Sequence, residues 1–209
     1  MTQPGDAQID DSELLRRYRQ GDEDAFGQLY QRHRLGLLRF LHGLCNDPVV
    51  AEEVFQETWL SLIRSQSLQR EAVQFKTWLY QIGRNRLIDY WRKHGTRASR
   101  EDQYDDQLHA QPTDEATPEQ QLSLSQDRQR LDAALADLPL DQREVFLLRT
   151  HADLELHEIA DITQTPAETV KSRLRYALQK LRRLLADPAA EEVNVGVSNP
   201  TRWIPVSSN

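Results

Sequence analysis

The sequence predicts an all-α protein of two small helical domains joined by a flexible acidic linker. Glycine and proline are scarce, at 8 and 9 of 209 residues, and no segment sustains the two-residue alternation of a strand. Apolar residues instead recur at three- and four-residue steps in two blocks. Between the blocks, residues 95–118 carry acids, amides, Pro112 and Pro118 but hardly an aliphatic side chain. Such a stretch buries too little apolar area to offset its ordering entropy and is expected to be mobile.

In the first block, Phe26, Leu29, Tyr30, His33, Leu37, Leu41 and Leu44 form one apolar stripe beginning after Asp22. Asn46-Asp47-Pro48 breaks it, and Pro48 suits the first turn of a second helix running to about Arg64. Val50, Val54, Thr58 and Leu62 line one face of that helix, with Glu52, Glu53, Gln56 and Glu57 opposite. After the polar break Ser65 to Val73, a third helix runs from Phe75 to about Lys93, and His94-Gly95-Thr96 ends it.

Periodicity resumes near Leu122 and leads through Leu131 and Leu135 to Leu138-Pro139. Asp141-Gln142-Arg143-Glu144 has the form of a capping box opening a helix. Asp153 is placed to cap a short helix carrying Leu156, Ile159, Ala160 and Ile162. Thr165, Pro166 and Glu168 then supply an N-cap, a first-position proline and a capping-box acid. The helix that follows is expected to turn Val170, Leu174, Leu178, Leu181 and Leu185 inward. A short helix, a tight turn and a capped helix with a basic outer face make a helix-turn-helix.

The net charge of −7 conceals segregation. Residues 101–127 hold 8 acids and no Lys or Arg, whereas Arg84 to Arg100 has six bases against one acid and Lys171 to Arg183 six against none. Both basic stretches are candidate phosphate-contacting surfaces. No apolar run reaches the length of a membrane span, and the start of the chain lacks the basic-then-apolar pattern of a secretory signal. A cytoplasmic protein is expected, with no membrane insertion. The single Cys45 excludes an internal disulfide and a cysteine-based zinc site, and reads as a small buried hydrophobe.

Enzyme readings fare poorly. The chain has no glycine-rich phosphate loop, no His-Glu-x-x-His and no nucleophile elbow, and its six histidines are scattered. No catalytic residue, metal ligand or cofactor is expected. Five of the fifteen aromatics, however, fall between Phe75 and Trp91 (Phe75, Trp78, Tyr80, Tyr90, Trp91), among Arg84, Asn85, Arg86, Arg92 and Lys93. Aromatic faces beside cations suit single-stranded nucleic acid, which offers unstacked bases and phosphates together. Trp78, Leu79 and Ile82 are expected inward, and part of Tyr80, Arg84, Asn85, Trp91 and Arg92 outward. Exposed Phe55 and Trp59 amid the acids of the second helix suit a protein interface with a basic partner.

Taken in order, Ala51-Glu52-Glu53-Val54-Phe55-Gln56-Glu57-Thr58-Trp59, then Phe75-x-x-Trp78-Leu79-x-x-Ile82-x-x-Asn85-x-x-Ile88-Asp89-x-x-Arg92, then Leu138-Pro139-x-x-x-Arg143-Glu144-Val145, Glu158-Ile159-Ala160 and Thr169-Val170-Lys171-Ser172-Arg173 resemble the extracytoplasmic-function (ECF) sigma factors. These are small two-domain promoter-specificity subunits of bacterial RNA polymerase. The resemblance covers about residues 13–185 and implies a tail at 1–12, a region 2-like domain at 13–95, a linker at 96–128, a region 4-like helix-turn-helix domain at 129–186 and a further tail at 187–209.

The resemblance implies that Glu52, Glu53, Phe55, Gln56, Glu57 and Trp59 dock on core polymerase at the clamp of its β′ subunit, with the β flap a second contact. It implies that Ser65 to Gln74 captures a base of the −10 element, while Phe75, Trp78, Tyr80, Arg84, Asn85, Trp91, Arg92 and Lys93 hold the melted strand. Thr165, Thr169, Lys171, Ser172, Arg173, Arg175 and Tyr176 would face the −35 duplex, with Ser172, Arg173 and Tyr176 near bases and Lys171 and Arg175 near phosphates. An anti-sigma partner is implied in the same way. The family's glycine in the helix-turn-helix turn is Gln164 here, where left-handed backbone would cost about 1 kcal/mol. A common arginine of the recognition helix is Tyr176. The linker acids are expected to lie in the polymerase's RNA path or across the chain's own basic helices. A free-standing helix-turn-helix regulator would explain residues 138–185 but neither the aromatic-basic helix nor the acidic face. An enzyme acting on nucleic acid would lack a metal cluster or nucleophile.

Overall fold

The computed structural model describes residues 9–64, 74–94 and 118–186. The Ser65–Gln74 loop (save Gln74), most of the acidic linker and the tail from Asp187 lie outside the described residues, and with them the expectations placed there. Among the described residues every regular element is helical: α1 (Asp11–Arg19), α2 (Glu23–Cys45), α3 (Pro48–Arg64), α4 (Phe75–His94), α5 (Pro118–Ala136), α6 (Leu140–His151), α7 (Leu156–Thr163) and α8 (Ala167–Ala186).

The α2 start is set by Asp22, whose carboxylate accepts from the Ala25 amide at 3.2 Å. Its end is set by Asn46 in the left-handed region, φ 54°, where its amide donates to the His42 carbonyl. Asp47 then caps α3, accepting from Val49 and Val50 at 3.0 and 3.2 Å. Leu29, His33, Leu37, Leu41 and Leu44 are buried, joined by Phe40. They meet Val50, Val54, Thr58 and Leu62 of α3 and Leu79 and Leu87 of α4 in one core. Gly83 lets α4 approach, since a Cβ there would lie 3.1 Å from Leu37. Helix α1, which the periodicity does not announce, adds Leu14 and Leu15 and is pinned by Asp11, which holds Arg32 and lies 2.6 Å from His33.

The second unit is α5–α8. Arg143 donates to the carbonyls of Ala136 and Leu138, and Lys180 to that of Asp137, fixing the turn between α5 and α6. Several local expectations are corrected here. Helix α6 begins at Leu140 after Pro139, without a side-chain cap. Asp141 is paired with Arg173 at 3.0 Å and Glu144 with Arg84 at 2.7 Å, so tertiary partners have taken both capping-box acids. The cap of α7 is Glu155, in a reciprocal capping box with Glu158, while Asp153 sits two residues upstream at φ 47°. In α8 the inward residues are Val170, Ala177 and Leu181, with Leu174 partly covered; Leu178 and Leu185 are 36% and 47% exposed.

The two units are packed together: α6 lies on α2, and α7 on α4. Helix α6 is buried on two faces. Val145 and Leu148 belong to its own unit's core, while Glu144, Leu147 and the His151 carbonyl reach Arg84, Gly43 and Gly36 of the first.

Candidate functional site

Helix α3 presents Glu52, Glu53, Gln56 and Glu57 to solvent on consecutive turns. The aromatic residues expected among them sit lower. Trp59 is 5% exposed, a correction to its placement at the surface, and Phe55 is half-buried. Trp59 packs edge-on against Phe26 and Tyr30, at ring-centroid distances of 5.8 and 5.0 Å, and Phe55 against Trp59 at 6.2 Å. These rings hold α3 on α2, and the acidic face stands on them. Sequence reasoning missed Leu60 and Ile63, each 46% exposed, which continue that face toward the helix end. The signal was present: Leu60 and Ile63 follow Gln56 at four and seven residues, on the same helical face.

Helix α4 splits its expected residues. Asn85, Arg92 and Lys93 are exposed and Trp91 half-exposed, so the second half of the helix offers cations and an aromatic flank to solvent. Arg92 is held at 2.7 Å by Asp89 one turn earlier. The first half is covered. Phe75 and Tyr80 are 2% and 1% exposed, and Trp78 and Ile82 half-buried, so Tyr80 is corrected from outward to inward and Phe75 is core. Tyr80 packs on Phe40 with its hydroxyl 3.4 Å from the His151 carbonyl, and burial pushes its phenol well up. Arg84 is engaged by Glu144 through its Nε.

Helices α7 and α8 form the helix-turn-helix. Gln164 takes the left-handed conformation, φ 55°, ψ 41°, and its side-chain amide donates to the Asp161 carbonyl at 2.6 Å. The turn therefore keeps a glycine-like backbone without glycine, offset by that hydrogen bond. On α8, Lys171, Arg175 and Tyr176 are exposed, and Thr165, Thr169 and Ser172 partly so. The Thr165 hydroxyl lies 2.9 Å from that of Thr163, and Ser172 donates to the Thr169 carbonyl. The Arg175 guanidinium sits 4.9 Å over the Tyr176 ring, a stacked pair pointing away from the core. Arg173 is instead tied to Asp141.

Among the described residues no cluster of His, Cys, Asp and Glu could hold a metal ion. Burial pushes the Cys45 thiol up to about 12, leaving it protonated and donating to the Asp47 carbonyl.

A helical bundle with an acidic outer helix, packed with a helix-turn-helix unit, defines the class: the sigma-70 proteins, whose region 2 model matches residues 29–97 and whose region 4 model matches residues 134–183. Within that class the chain belongs to the ECF sigma factors, alternative sigma factors of RNA polymerase. It is 32% identical over 184 residues to the ECF RNA polymerase sigma-E factor of Haemophilus influenzae, covering 83% of this chain and 94% of that one. It is 31% identical over 176 residues to the RNA polymerase sigma factor CarQ of Myxococcus xanthus, covering 83% and 96%. The fold is shared with the sigma factor RpoE of Bartonella quintana, solved with the anti-sigma factor NepR, at a TM-score of 0.60 and 23% identity over 77% of this chain and 96% of that one. It is shared also with CnrH, solved with the cytosolic domain of CnrY, at a TM-score of 0.61 and 22% identity over 84% and 97%.

Proposed function

We propose that this sigma factor works by binding alone, with no catalysis of its own, and that three of its surfaces divide the task. The outer face of α3, with Glu52, Glu53, Gln56 and Glu57 at the surface and Phe55, Leu60 and Ile63 beside them, docks on a basic and partly apolar patch of core polymerase, at the β′ clamp. Trp59 supports that face from beneath. Helix α4 and the loop before it hold the unpaired −10 strand: Arg92, Lys93 and Asn85 are exposed for it with Trp91 half-exposed beside them, and Phe75, Trp78, Tyr80 and Arg84 lie on the covered part of the same helix. The exposed side of α8 enters the −35 major groove, with Tyr176 and Ser172 toward base edges and Lys171 and Arg175 toward phosphates.

Arg173 acts differently from a base reader, because its bond to Asp141 ties the recognition helix to α6. The division of labour implies domains at about 13–95 and 129–186, a cytoplasmic site of action and an anti-sigma protein as regulator. No described helix is long and apolar enough to cross a membrane.

The observation that carries this reading is the pairing, in one chain, of a carboxylate-rich helix face on a bundle with a helix-turn-helix whose outer side is basic. A free-standing DNA regulator needs only the second. The test is co-elution of the purified chain with bacterial core RNA polymerase, beside a Glu53→Lys/Phe55→Ala variant. Co-elution that the variant loses supports the docking face. A chain that ignores polymerase but shifts duplex DNA unaided contradicts it.

A further inference from the structure

Two lines of side chains run along the outer side of α8. Thr169, Ser172, Tyr176 and Gln179 follow one another at steps of three and four residues. So do Glu168, Lys171 and Arg175, with Arg182 two turns further on. Both lines lie away from the core, which takes Val170, Ala177 and Leu181. The second line carries the charge: three cations stand on it, with Glu168 3.8 Å from Lys171 as its one acid. The first line carries none.

On that uncharged line the Ser172 hydroxyl is already spent, donating to the Thr169 carbonyl one turn back at 2.9 Å. Tyr176 is the one aromatic residue of α8 and is 49% exposed. Its hydroxyl accepts from Arg175 Nη2 at 3.2 Å, and the same guanidinium lies over the ring, 4.9 Å from its centroid. The stacked cation steadies the ring and occupies one of its faces. The other face and the ring edge, all carbon, are left for whatever enters beside the helix. In the major groove, guanine offers N7 and O6, which two parallel N–H donors read, whereas thymine offers a C5 methyl, which an apolar surface reads. Tyr176 has no parallel donors. The Arg175 fork that could supply them is drawn over the ring and toward the tyrosine hydroxyl.

We propose that Tyr176 determines specificity at one base pair of the −35 element and reads a thymine there, packing its ring on the C5 methyl while Arg175 holds the ring in place and meets a phosphate. This rests on the assignment of the outer side of α8 to the −35 major groove. A guanidinium in place of the tyrosine would favour guanine at the same position, since it would bring the parallel donors that Tyr176 lacks. The tyrosine hydroxyl is not the reader in this scheme, because it is turned to Arg175. Three substitutions therefore separate the parts of the side chain. Tyr176→Phe removes the hydroxyl and keeps the ring, Tyr176→Ala removes the ring, and Tyr176→Arg exchanges it for a donor fork. Because the side chain is half in solvent, none of the three opens a cavity in the core.

The test lets full-length chain and its variants, each with core polymerase, select from a randomised duplex DNA library. Each thymine of the wild-type selected duplex is then replaced singly by uracil, which removes the methyl and keeps the pairing. One such replacement should weaken wild type and Tyr176→Phe roughly fourfold, the worth of one buried methyl, and leave Tyr176→Ala unchanged. Tyr176→Arg should select guanine at that same position. Wild type indifferent to uracil at every position overturns the proposal. So does a Tyr176→Phe chain that loses the preference, since the hydroxyl would then be the reader, or a Tyr176→Ala chain that stays sensitive to uracil, since another residue would then meet the methyl. The two assignments fail differently. Selection that Tyr176→Ala, Lys171→Ala and Arg175→Ala leave unchanged in sequence and in affinity refutes the placing of α8 in the groove, whereas a sequence that shifts at one position with no uracil effect refutes the thymine contact alone.

Discussion

Glu158 serves two bonds at once, and replacing it tests how the units are joined. One carboxylate oxygen accepts from the Glu155 amide at 2.7 Å, closing the α7 capping box, and the other accepts from the Thr77 hydroxyl at 2.8 Å across the seam. Glu158→Ala frees the amide, at about 1 kcal/mol for a lost cap. It also strands the buried Thr77 hydroxyl, at about 1–2 kcal/mol more. The expected loss is about 2–3 kcal/mol, which lowers Tm by roughly 4–12 °C for a chain of this size. Thr77→Val removes only the second bond and should cost about 1 kcal/mol. In the double variant the seam bond is lost once rather than twice, so the cycle should show a coupling of about 1 kcal/mol. Urea unfolding followed by circular dichroism measures all four chains. Additive single effects, or a Thr77→Val cost equal to that of Glu158→Ala, would refute the claim that Glu158 joins the units as well as capping its helix.

At the N-terminal helix, burial tends to raise the Asp11 carboxyl, but hydrogen bonds and charge from His33 and Arg32 outweigh it and hold the group below its ordinary 3.8. A depressed folded value gives stability that is present above the unfolded pKa and lost as pH falls through the folded one. Asp11→Asn should therefore destabilise the chain by about 1–3 kcal/mol at pH 7 and progressively less below about pH 4, read by urea unfolding at each pH. At the helix-turn-helix turn, Gln164→Gly relieves left-handed strain of about 1 kcal/mol but loses the bond to Asp161 and adds chain entropy. The change in Tm should stay within about 3 °C, and a loss beyond that would show the Gln164 side chain to be essential to the turn. On α8, Tyr176→Ala should cost about 1–3 kcal/mol on a specific −35 duplex and little on a scrambled one, whereas Lys171→Ala should weaken both alike, by gel shift with polymerase present.

The parts of the fold legible in the sequence are those decided within a few turns of chain. The α2 stripe, the Asp22 start, the Asn46-Asp47-Pro48 break and the split of α3 into apolar and acidic faces all rest on local spacing and local caps, and all appear. The misreadings share a cause, which is competition from distant partners. Asp141 and Glu144 form a plausible capping box, but Arg173 and Arg84 offer each a charged partner, and Glu158 outbids Asp153 by capping with Glu155. Leu178 and Leu185 follow the apolar stripe of α8 yet project past the small unit beneath it, with Ala177 turned inward instead. Tyr80 reads as an outward aromatic because nothing local reveals that its ring will pack on Phe40 of α2, with its hydroxyl at the end of α6. The acidic face of α3 and the exposed Arg175 and Tyr176 were legible as surfaces. That half of α4 is shielded by the chain itself was not, since two glycines on another helix make that approach possible.

The most direct test of the central claim is run-off transcription on fragmented bacterial genomic DNA, with core polymerase alone and with core polymerase plus this chain, sequencing the RNA 5′ ends. The account predicts new 5′ ends that share a two-part upstream sequence at fixed spacing, abolished by Glu53→Lys and redistributed by Tyr176→Ala. An identical set of 5′ ends with and without the chain would contradict it.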